Sequence, residues 1–229
     1  MKTNIIRLLP FVLLFAAACQ DVNYMHEEYL KRGEGIYTGV IDSLKAYPGN
    51  NRVKFTWQLN SDPRITKTVI YWNELQDSSV VTVNRTTSGL LQMETTMAIA
   101  EASYVFKIAT KDDEGHQSIY VEQTVEVLGA KYASKLRNRN IETVKLTGEQ
   151  ATLTWKKLEN TALLYTTVKY KDYTQPSKPE VKELQVANDV SKTILEHVKS
   201  GDTIEVVSTY RPTNSIDDFT ASVTTYELK

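Results

Sequence analysis

The sequence is poor in cysteine and histidine, and it carries no strong excess of charge. Its 229 residues include one cysteine and three histidines, and 27 basic residues stand against 28 acidic ones, for a net charge of −1. A single cysteine excludes a disulfide framework and a cysteine-rich metal site. The near-balance of charge excludes a strongly basic nucleic-acid binder and an acidic tail protein. We therefore expect no nucleic-acid partner and no bound metal.

Long hydrophobic runs are also missing, apart from one short run near the amino terminus. That run extends from Leu8 to Ala18, whereas a membrane span needs about 20 apolar residues. It follows the cations Lys2 and Arg7 and ends in small residues. This combination predicts a secretory signal peptide over residues 1–18.

The only cysteine, Cys19, directly follows the alanines at Ala16–Ala18. This junction resembles a bacterial lipobox, in which signal peptidase cleaves before a lipid-modified cysteine. The resemblance implies a lipid on Cys19 and hence attachment to a membrane, because each buried methylene contributes about 0.8 kcal/mol to anchoring. Residues 19–35 would then form a lipidated cysteine and a polar tether. The alternative is a plain exported protein whose cysteine stands there by chance.

Motifs that indicate catalysis are missing as well. The sequence has no G-x-S-x-G nucleophile elbow, no P-loop and no glycine-rich dinucleotide motif. The acidic segment Lys111–Gly115 offers oxygen ligands that would suit calcium, but it is more typical of a solvated hairpin turn. We predict a non-catalytic protein without a cofactor. A glycosidase remains a weaker alternative, since scattered carboxylates cannot be paired from one sequence.

From Ile36 onward the dominant pattern is β-strand alternation, broken by turn residues. Val53, Phe55, Trp57 and Leu59 alternate with polar or charged residues, which is typical of a half-buried antiparallel strand. Repeated short strands of this kind predict an all-β sandwich or barrel.

The pattern occurs twice along the chain. Val53–Trp57 and Ala151–Trp155 both end in Thr-Trp, and the two tryptophans are 98 residues apart. Units of about 100 residues match a seven-stranded sandwich, so we predict tandem sandwiches over residues 36–128 and 129–229. Each tryptophan is expected to fill the core of its sandwich. The short junction at 129–140 predicts a fairly rigid pair with a modest interface.

Aromatic positions in the first unit resemble fibronectin type III domains. Trp57 lies on the second strand, Tyr71 on the third, and Tyr104 precedes a Phe-Lys-Ile-Ala row. Tyr104 occupies the position of that family's tyrosine corner, whereas the second unit has Ile204 near that position. The resemblance implies two tandem fibronectin type III or immunoglobulin-like β-sandwiches.

A second resemblance covers nearly the whole chain after the signal peptide. It rests on eight short segments: Gly35–Gly39, Asp42–Leu44, Pro48–Arg52, Asp62–Ile65, Ile70–Asn73, Asp113–Gly115, Tyr210–Pro212 and Ile216–Phe219. Together they resemble a Bacteroidetes lipoprotein family that carries a domain of unknown function and is often encoded beside outer-membrane glycan-uptake systems. The resemblance implies an outer-membrane location, on the cell surface or the periplasmic face, with transporter components or polysaccharide as partners.

The segment Ile70–Asn73 holds the candidate contact residues. In a strand, Tyr71 and Trp72 point to opposite faces, so one of these aromatic side chains must face away from its own core. An exposed aromatic residue there could receive a sugar ring or a protein partner. The alternative is packing against a neighbouring domain or the tether.

Two further patterns concern modification and charge. The segments around Ser43 and Thr203 resemble the three-residue O-glycosylation signal of Bacteroidetes exported proteins, which implies sugars on these two hydroxyls. The junction also carries a basic cluster that lacks interleaved aromatic residues, which is typical of a solvated linker rather than an anionic-ligand patch. The cluster comprises Lys131, Lys135, Arg137 and Arg139.

These observations predict a non-catalytic, lipid-anchored envelope protein. Its first predicted role is an accessory or scaffold component of an outer-membrane glycan-acquisition system, acting through protein contacts or weak glycan contacts. The alternative is an adhesin or structural spacer of the cell envelope. Clustered exposed aromatic side chains would favour glycan binding, whereas an aromatic patch buried between domains would favour the spacer.

Overall fold

A computed structural model describes residues 36–229, with the exception of residues 87, 158 and 159. Cys19, the predicted signal peptide and the predicted tether lie outside the described residues. Thr38–Lys229 form one compact unit. Within the described residues, no helix has the length and hydrophobicity of a membrane span.

Seven antiparallel strands form a first sandwich of two sheets. One sheet has three strands in the order β1-β2-β5, and the other has four in the order β4-β3-β6-β7. The strands are β1 (Asp42–Gly49), β2 (Arg52–Leu59), β3 (Lys67–Trp72), β4 (Asp77–Thr82), β5 (Leu91–Ala98), β6 (Ser103–Lys111) and β7 (Val121–Glu126).

The core of the first sandwich lies between these sheets. Val53, Phe55, Trp57 and Leu59 of β2 are all fully buried, which confirms the alternation predicted for this segment. Phe55 meets Phe106 of the facing sheet edge-on, with ring centroids 4.9 Å apart. Each such buried side chain contributes about 1.5–3 kcal/mol, so β2 and β6 hold the two sheets together.

The second sandwich repeats the arrangement with one change. Its sheets have the orders β12-β9-β8 and β11-β10-β13-β14, and β15 also pairs with β13. Two short strands thus flank β13 along one edge. The strands are β8 (Ile141–Thr147), β9 (Gln150–Trp155), β10 (Leu163–Asp172), β11 (Glu180–Ala187), β12 (Lys192–Leu195), β13 (Thr203–Tyr210), β14 (Phe219–Thr220) and β15 (Thr224–Glu227).

The second core is built around Trp155, which is 3% exposed, together with Leu153, Leu195 and the fully buried Ile204. Both Thr-Trp tryptophans therefore fill a core, as the repeat predicts. The all-β sandwich architecture expected from the alternation is confirmed.

The two core tryptophans differ in how their indole N–H groups are satisfied. Trp155 Nε1 donates a 2.8 Å hydrogen bond to the buried hydroxyl of Thr193. Trp57 Nε1 has no hydrogen-bond partner among the described residues. The register places Thr193 opposite Leu153 and Thr95 opposite Phe55, so Thr95 is the matching position in the first sandwich.

A short helix, α1 (Ala130–Lys135), joins the sandwiches and was not predicted from the sequence. Its first N–H groups are capped by a residue of the first sandwich. The carboxylate of Glu101 accepts hydrogen bonds from the backbone N–H groups of Lys131 at 2.7 Å and Tyr132 at 2.6 Å. A carboxylate at this end of a helix also complements the helix dipole.

The turn between β1 and β2 forms a second link between the sandwiches. Asp217 of the second sandwich accepts hydrogen bonds from Nε of Arg52 at 2.9 Å and from the backbone N–H of Asn50 at 2.7 Å. A further hydrogen bond from Nη2 of Arg52 makes the ion pair bidentate. This bidentate, charge-assisted contact fixes the relative orientation of the two side chains as well as their distance. Arg52 also lowers the pKa of the Asp217 carboxyl.

Close approach requires a glycine in this turn. A Cβ added at Gly49 would lie 2.7 Å from Cγ1 of Ile216, while the N–H of Ile216 donates to the carbonyl of Pro48 at 2.9 Å. On the other side, Tyr132 of α1 packs edge-on against Phe219 at 5.1 Å between centroids. We call the β1–β2 turn, Glu101, α1 and the 216–219 segment the inter-sandwich joint.

Thr193→Val tests the hydrogen bond in the second core. The substitution preserves shape but leaves Trp155 Nε1 buried without an acceptor, so we expect the free energy of unfolding to fall by about 1–3 kcal/mol. Thr95→Val is the matched control, because no hydrogen bond to Trp57 is lost there. Urea unfolding measures both changes, and an equal effect of the two variants would contradict the assignment.

Asp217→Ala tests the joint. Loss of the bidentate pair with Arg52 should let the sandwiches move relative to each other, so we expect a larger radius of gyration by small-angle X-ray scattering. Asp218→Ala is the control, because Asp218 pairs with Arg211 inside the second sandwich, at 2.6 Å and 3.0 Å. Identical scattering from wild type and Asp217→Ala would show that this pair does not hold the joint.

Candidate functional site

The candidate contact residues Tyr71 and Trp72 lie on opposite faces of β3. Trp72 points inward and packs against the first core, 6.3 Å from Phe106 between ring centroids. Tyr71 points outward and is half-buried. The structure therefore places Tyr71 on the outer face of the four-stranded sheet, while the role of either residue as a contact stays a prediction.

Tyr71 has a neighbour that the sequence analysis did not single out. Tyr120 meets it edge-on with centroids 5.8 Å apart, and Nζ of Lys111 lies 5.5 Å from the Tyr71 centroid. Edge-on aromatic pairs and cation–π contacts both fix ring orientation. We call Tyr71, Tyr120 and Lys111 the aromatic patch.

Apolar side chains surround the aromatic patch on the same outer face. Val80 is 58% exposed and Val105 is 50% exposed. Pairing places Val80 opposite Val69, and Tyr71 opposite Lys107, so these side chains share the face. A sheet face that combines exposed valines with a tyrosine pair can contact an apolar partner or the face of a sugar ring.

The acidic turn beside the patch satisfies its own polar groups. One carboxylate oxygen of Asp112 accepts the backbone N–H groups of Glu114 at 3.0 Å and His116 at 2.8 Å. The other lies 2.6 Å from Nδ1 of His116. Burial opposes ionisation of Asp112, but the hydrogen bonds from His116 outweigh it and lower its pKa. A carboxylate oxygen of Asp112, one of Glu114 and a ring nitrogen of His116 lie within 4.8 Å of one another. The hydrogen bonds of Asp112 with Glu114 and His116 close the turn.

A second carboxylate closes the neighbouring loop before β3. Asp62 accepts hydrogen bonds from the backbone N–H of Gly39 at 3.0 Å and from the Arg64 guanidinium at 3.0 Å and 2.9 Å. The Arg64 contact lowers the pKa of Asp62 to about 2. The hydrogen bonds of Asp62 therefore hold the backbone of this loop in place. The buried Ile65 follows and leads into β3.

The predicted O-glycosylation residues are both accessible. Ser43 lies exposed in β1, and Thr203 is the exposed first residue of β13. Exposure is a condition for modification, and attachment of sugars to these hydroxyls stays a prediction.

The basic cluster does not behave as one solvated linker, and that expectation is wrong for Arg139. Its side chain is 2% exposed. Its guanidinium lies 5.3 Å over the Trp155 ring and donates to the carbonyls of Ala187 at 3.1 Å and Val190 at 2.8 Å. Burial lowers the pKa of Arg139. This arginine belongs to the second core, whereas Lys135 and Arg137 remain exposed.

Comparison with known proteins gives a family match and likenesses to solved structures. The chain is similar to a crystal structure of the chicken CNTN1 FN1–FN3 domains, at 12% identity over 86% of this chain and 69% of that one, with a TM-score of 0.37. It is also similar to a two fibronectin type III domain segment from chicken tenascin, at 12% identity over 83% of this chain and 99% of that one, with a TM-score of 0.33. No curated protein matches.

The sandwich architecture rests on the strand order and the two cores described above. A family model described as a domain of unknown function, DUF4998, matches residues 19–219. That match covers the first sandwich, the second sandwich as far as the start of β14, and every residue of the inter-sandwich joint. The chain belongs to the DUF4998 family.

Proposed function

We propose that this chain is a lipid-anchored accessory or scaffold component of an outer-membrane glycan-acquisition system. The observation that carries the proposal is the inter-sandwich joint. Arg52, Glu101 and Asp217 connect two sandwiches through charge-assisted hydrogen bonds. Such a connection suits a protein that presents surfaces at a set spacing, which is the work of a structural or adhesion-like module.

Attachment to the membrane through Cys19 is the second part of the proposal. The family match begins at residue 19, which is also where cleavage at the lipobox-like junction would leave the new amino terminus. Residues 20–35 separate that cysteine from the first described residue. A lipid at this place would hold the sandwiches close to the membrane surface.

The aromatic patch is the proposed contact surface for glycan. Tyr120 is 38% exposed, and Tyr71 is half-buried, so the ring area open to a sugar is small. A small platform supports weak binding, which an accessory protein can combine with a stronger receptor.

The exposed valines favour the alternative function, an adhesin or structural spacer. Val80 and Val105 flank the aromatic patch and are at least half exposed. Adjacent exposed apolar side chains often mark a protein interface. On this alternative the outer sheet face docks a protein partner, and the joint sets a distance within the envelope.

Cys19→Ala tests the anchor. Wild-type chain produced in a Gram-negative host should incorporate labelled palmitate and sediment with membranes. The Cys19→Ala chain should take up no label and appear in the soluble fraction, because only acyl chains would hold it to the bilayer. Ser43→Ala serves as a control that keeps the cysteine. Unlabelled wild-type chain would remove the lipid from the proposal.

Affinity electrophoresis through gels that contain neutral polysaccharides tests the aromatic patch. We expect one glycan to retard the chain, and Tyr71→Ala or Tyr120→Ala to weaken binding about fivefold, because one aromatic contact contributes about 1 kcal/mol. Tyr165→Ala is the matched control: Tyr165 is half-buried on the outer face of β10, the strand that corresponds to β3. Retardation that persists in both patch variants would assign glycan contact elsewhere. No retardation of wild type would favour the spacer.

A further inference from the structure

A cavity of about 620 Å³ opens in the second sandwich beside α1. Two stretches of chain supply most of its lining: the segment after α1, and the segment that follows β9. We call six of its lining residues the cationic groove: Lys135, Arg137, Asn140, Lys156, Lys157 and Asn160. Four of these six side chains are cations, and none of the described lining residues is acidic.

The backbone beneath these side chains is held in place. The N–H of Lys156 donates to the carbonyl of Asn140 at 2.9 Å, which joins the two stretches. The buried Tyr210 donates its hydroxyl proton to the carbonyl of Arg137 at 2.5 Å. Leu136 packs against the small cluster around Leu163. The positions from which the cations project are therefore fixed by the fold.

Three cations of the groove, Lys135, Arg137 and Lys156, differ in their pairing from several lysines on the outer sheet faces. On the outer sheet faces, lysines pair with carboxylates across neighbouring strands, as Lys54 does with Glu94 at 2.8 Å and Lys107 with Glu122 at 3.0 Å. Among the described residues, no carboxylate lies within 4.0 Å of the side-chain nitrogens of Lys135, Arg137 or Lys156. Cations gathered in one concavity raise the local concentration of anions.

A second cavity of about 610 Å³ adjoins the first, because Lys157 lines both. Its lining adds Arg139, Trp155, Asn188, Ser191 and one acid, Asp189. The Asn188 carboxamide oxygen is buried and has no hydrogen-bond partner among the described residues. Two neighbouring cavities with a shared lysine suit an extended ligand better than a single small ion.

We propose that the cationic groove binds an anionic polysaccharide, a chain that carries carboxylate or sulfate groups along a hydroxyl-rich backbone. Lys135, Arg137 and Lys156 would pair with the anionic groups. The carboxamides of Asn140 and Asn160 would hydrogen-bond the sugar hydroxyls. Both kinds of contact occur along the same polymer, and the groove offers both kinds of donor.

Two other anionic partners fit the groove less well. Single-stranded nucleic acid needs exposed aromatic rings on which bases stack, whereas the aromatic residues that line the two cavities, Tyr210 and Trp155, are 4% and 3% exposed. A membrane surface would meet a flat or convex basic face, whereas these cations line a concavity. The inference goes beyond the proposed function, because the groove lies on a different sandwich from the aromatic patch. A spacer protein could bind an anionic polysaccharide through this groove just as well.

The test compares one polymer in charged and uncharged form. Chain carrying Cys19→Ala is run through gels that contain polygalacturonate, fully methyl-esterified polygalacturonate or no polymer. We expect retardation by the charged form alone, weakening between roughly 0.05 M and 0.5 M salt as the charges are screened. Lys135→Ala combined with Lys156→Ala should weaken binding about tenfold, since two part-exposed ion pairs each contribute up to about 1 kcal/mol.

The matched control removes two cations from elsewhere. Lys45→Ala combined with Lys145→Ala changes the net charge equally at exposed strand positions, and it should bind as wild type does. Equal losses of binding in both double variants would show that net charge alone causes the effect, which would overturn the proposal that the groove binds the polymer. Equal retardation by both forms of the polymer, or by neither, would also overturn it. Tighter binding to vesicles of anionic phospholipid, or to single-stranded DNA, than to polygalacturonate would assign the groove to that partner instead.

These outcomes are independent of the proposed function. Tyr71→Ala should bind polygalacturonate as tightly as wild type does, because the aromatic patch lies on the first sandwich. Loss of polyanion binding in Tyr71→Ala would place the site on the patch and contradict the groove. Binding of neutral glycans, in turn, is unaffected by Lys135→Ala and Lys156→Ala if the two surfaces are separate.

Discussion

The bidentate ion pair between Arg52 and Asp217 is the constraint on which the arrangement of this molecule depends. It joins residues 165 positions apart, and it closes only because Gly49 lets the second sandwich approach the β1–β2 turn. The same turn anchors the segment that carries Glu101, since Asn51 Oδ1 accepts the Glu101 N–H at 3.2 Å. Glu101 in turn caps α1. The pair, the glycine and the cap therefore act together, and the joint is a built feature rather than a flexible linker.

The joint explains the structural role of segments that were recognised in the sequence only by their resemblance to a family. Pro48–Arg52 and Ile216–Phe219 carry no catalytic group, yet they are the two sides of the contact between the sandwiches. Asp62–Ile65 likewise closes a loop through its own ion pair. Several segments that carry the family resemblance thus specify how the two sandwiches are built and connected.

Local patterns predicted the parts of the fold that depend on local rules. Period-two alternation identified the core face of β2, and it showed that one of Tyr71 and Trp72 must leave the core. The missed features all depend on distant residues. Helix α1 is six residues long and gains its cap from Glu101, some 30 positions away. Tyr120 directly precedes β7 and reaches Tyr71 because β6 pairs with both β3 and β7. Arg139 enters the core because the distant carbonyls of Ala187 and Val190 accept its N–H groups. No local pattern encodes such contacts.

The junction residues also show why the second sandwich cannot be separated from the chain that precedes it. Arg139 lies over Trp155, and the side chain of Asn138 accepts the N–H of Ser208 at 2.6 Å while donating to the carbonyl of Ser222 at 2.6 Å. These bonds tie the junction to β13 and to the segment between β14 and β15. Because the junction is part of the second core at one end and is capped by the first sandwich at the other, movement at either end must strain it. The cations that project from it are therefore held at a fixed place relative to both sandwiches, which a set of lysines on a solvated linker would not be.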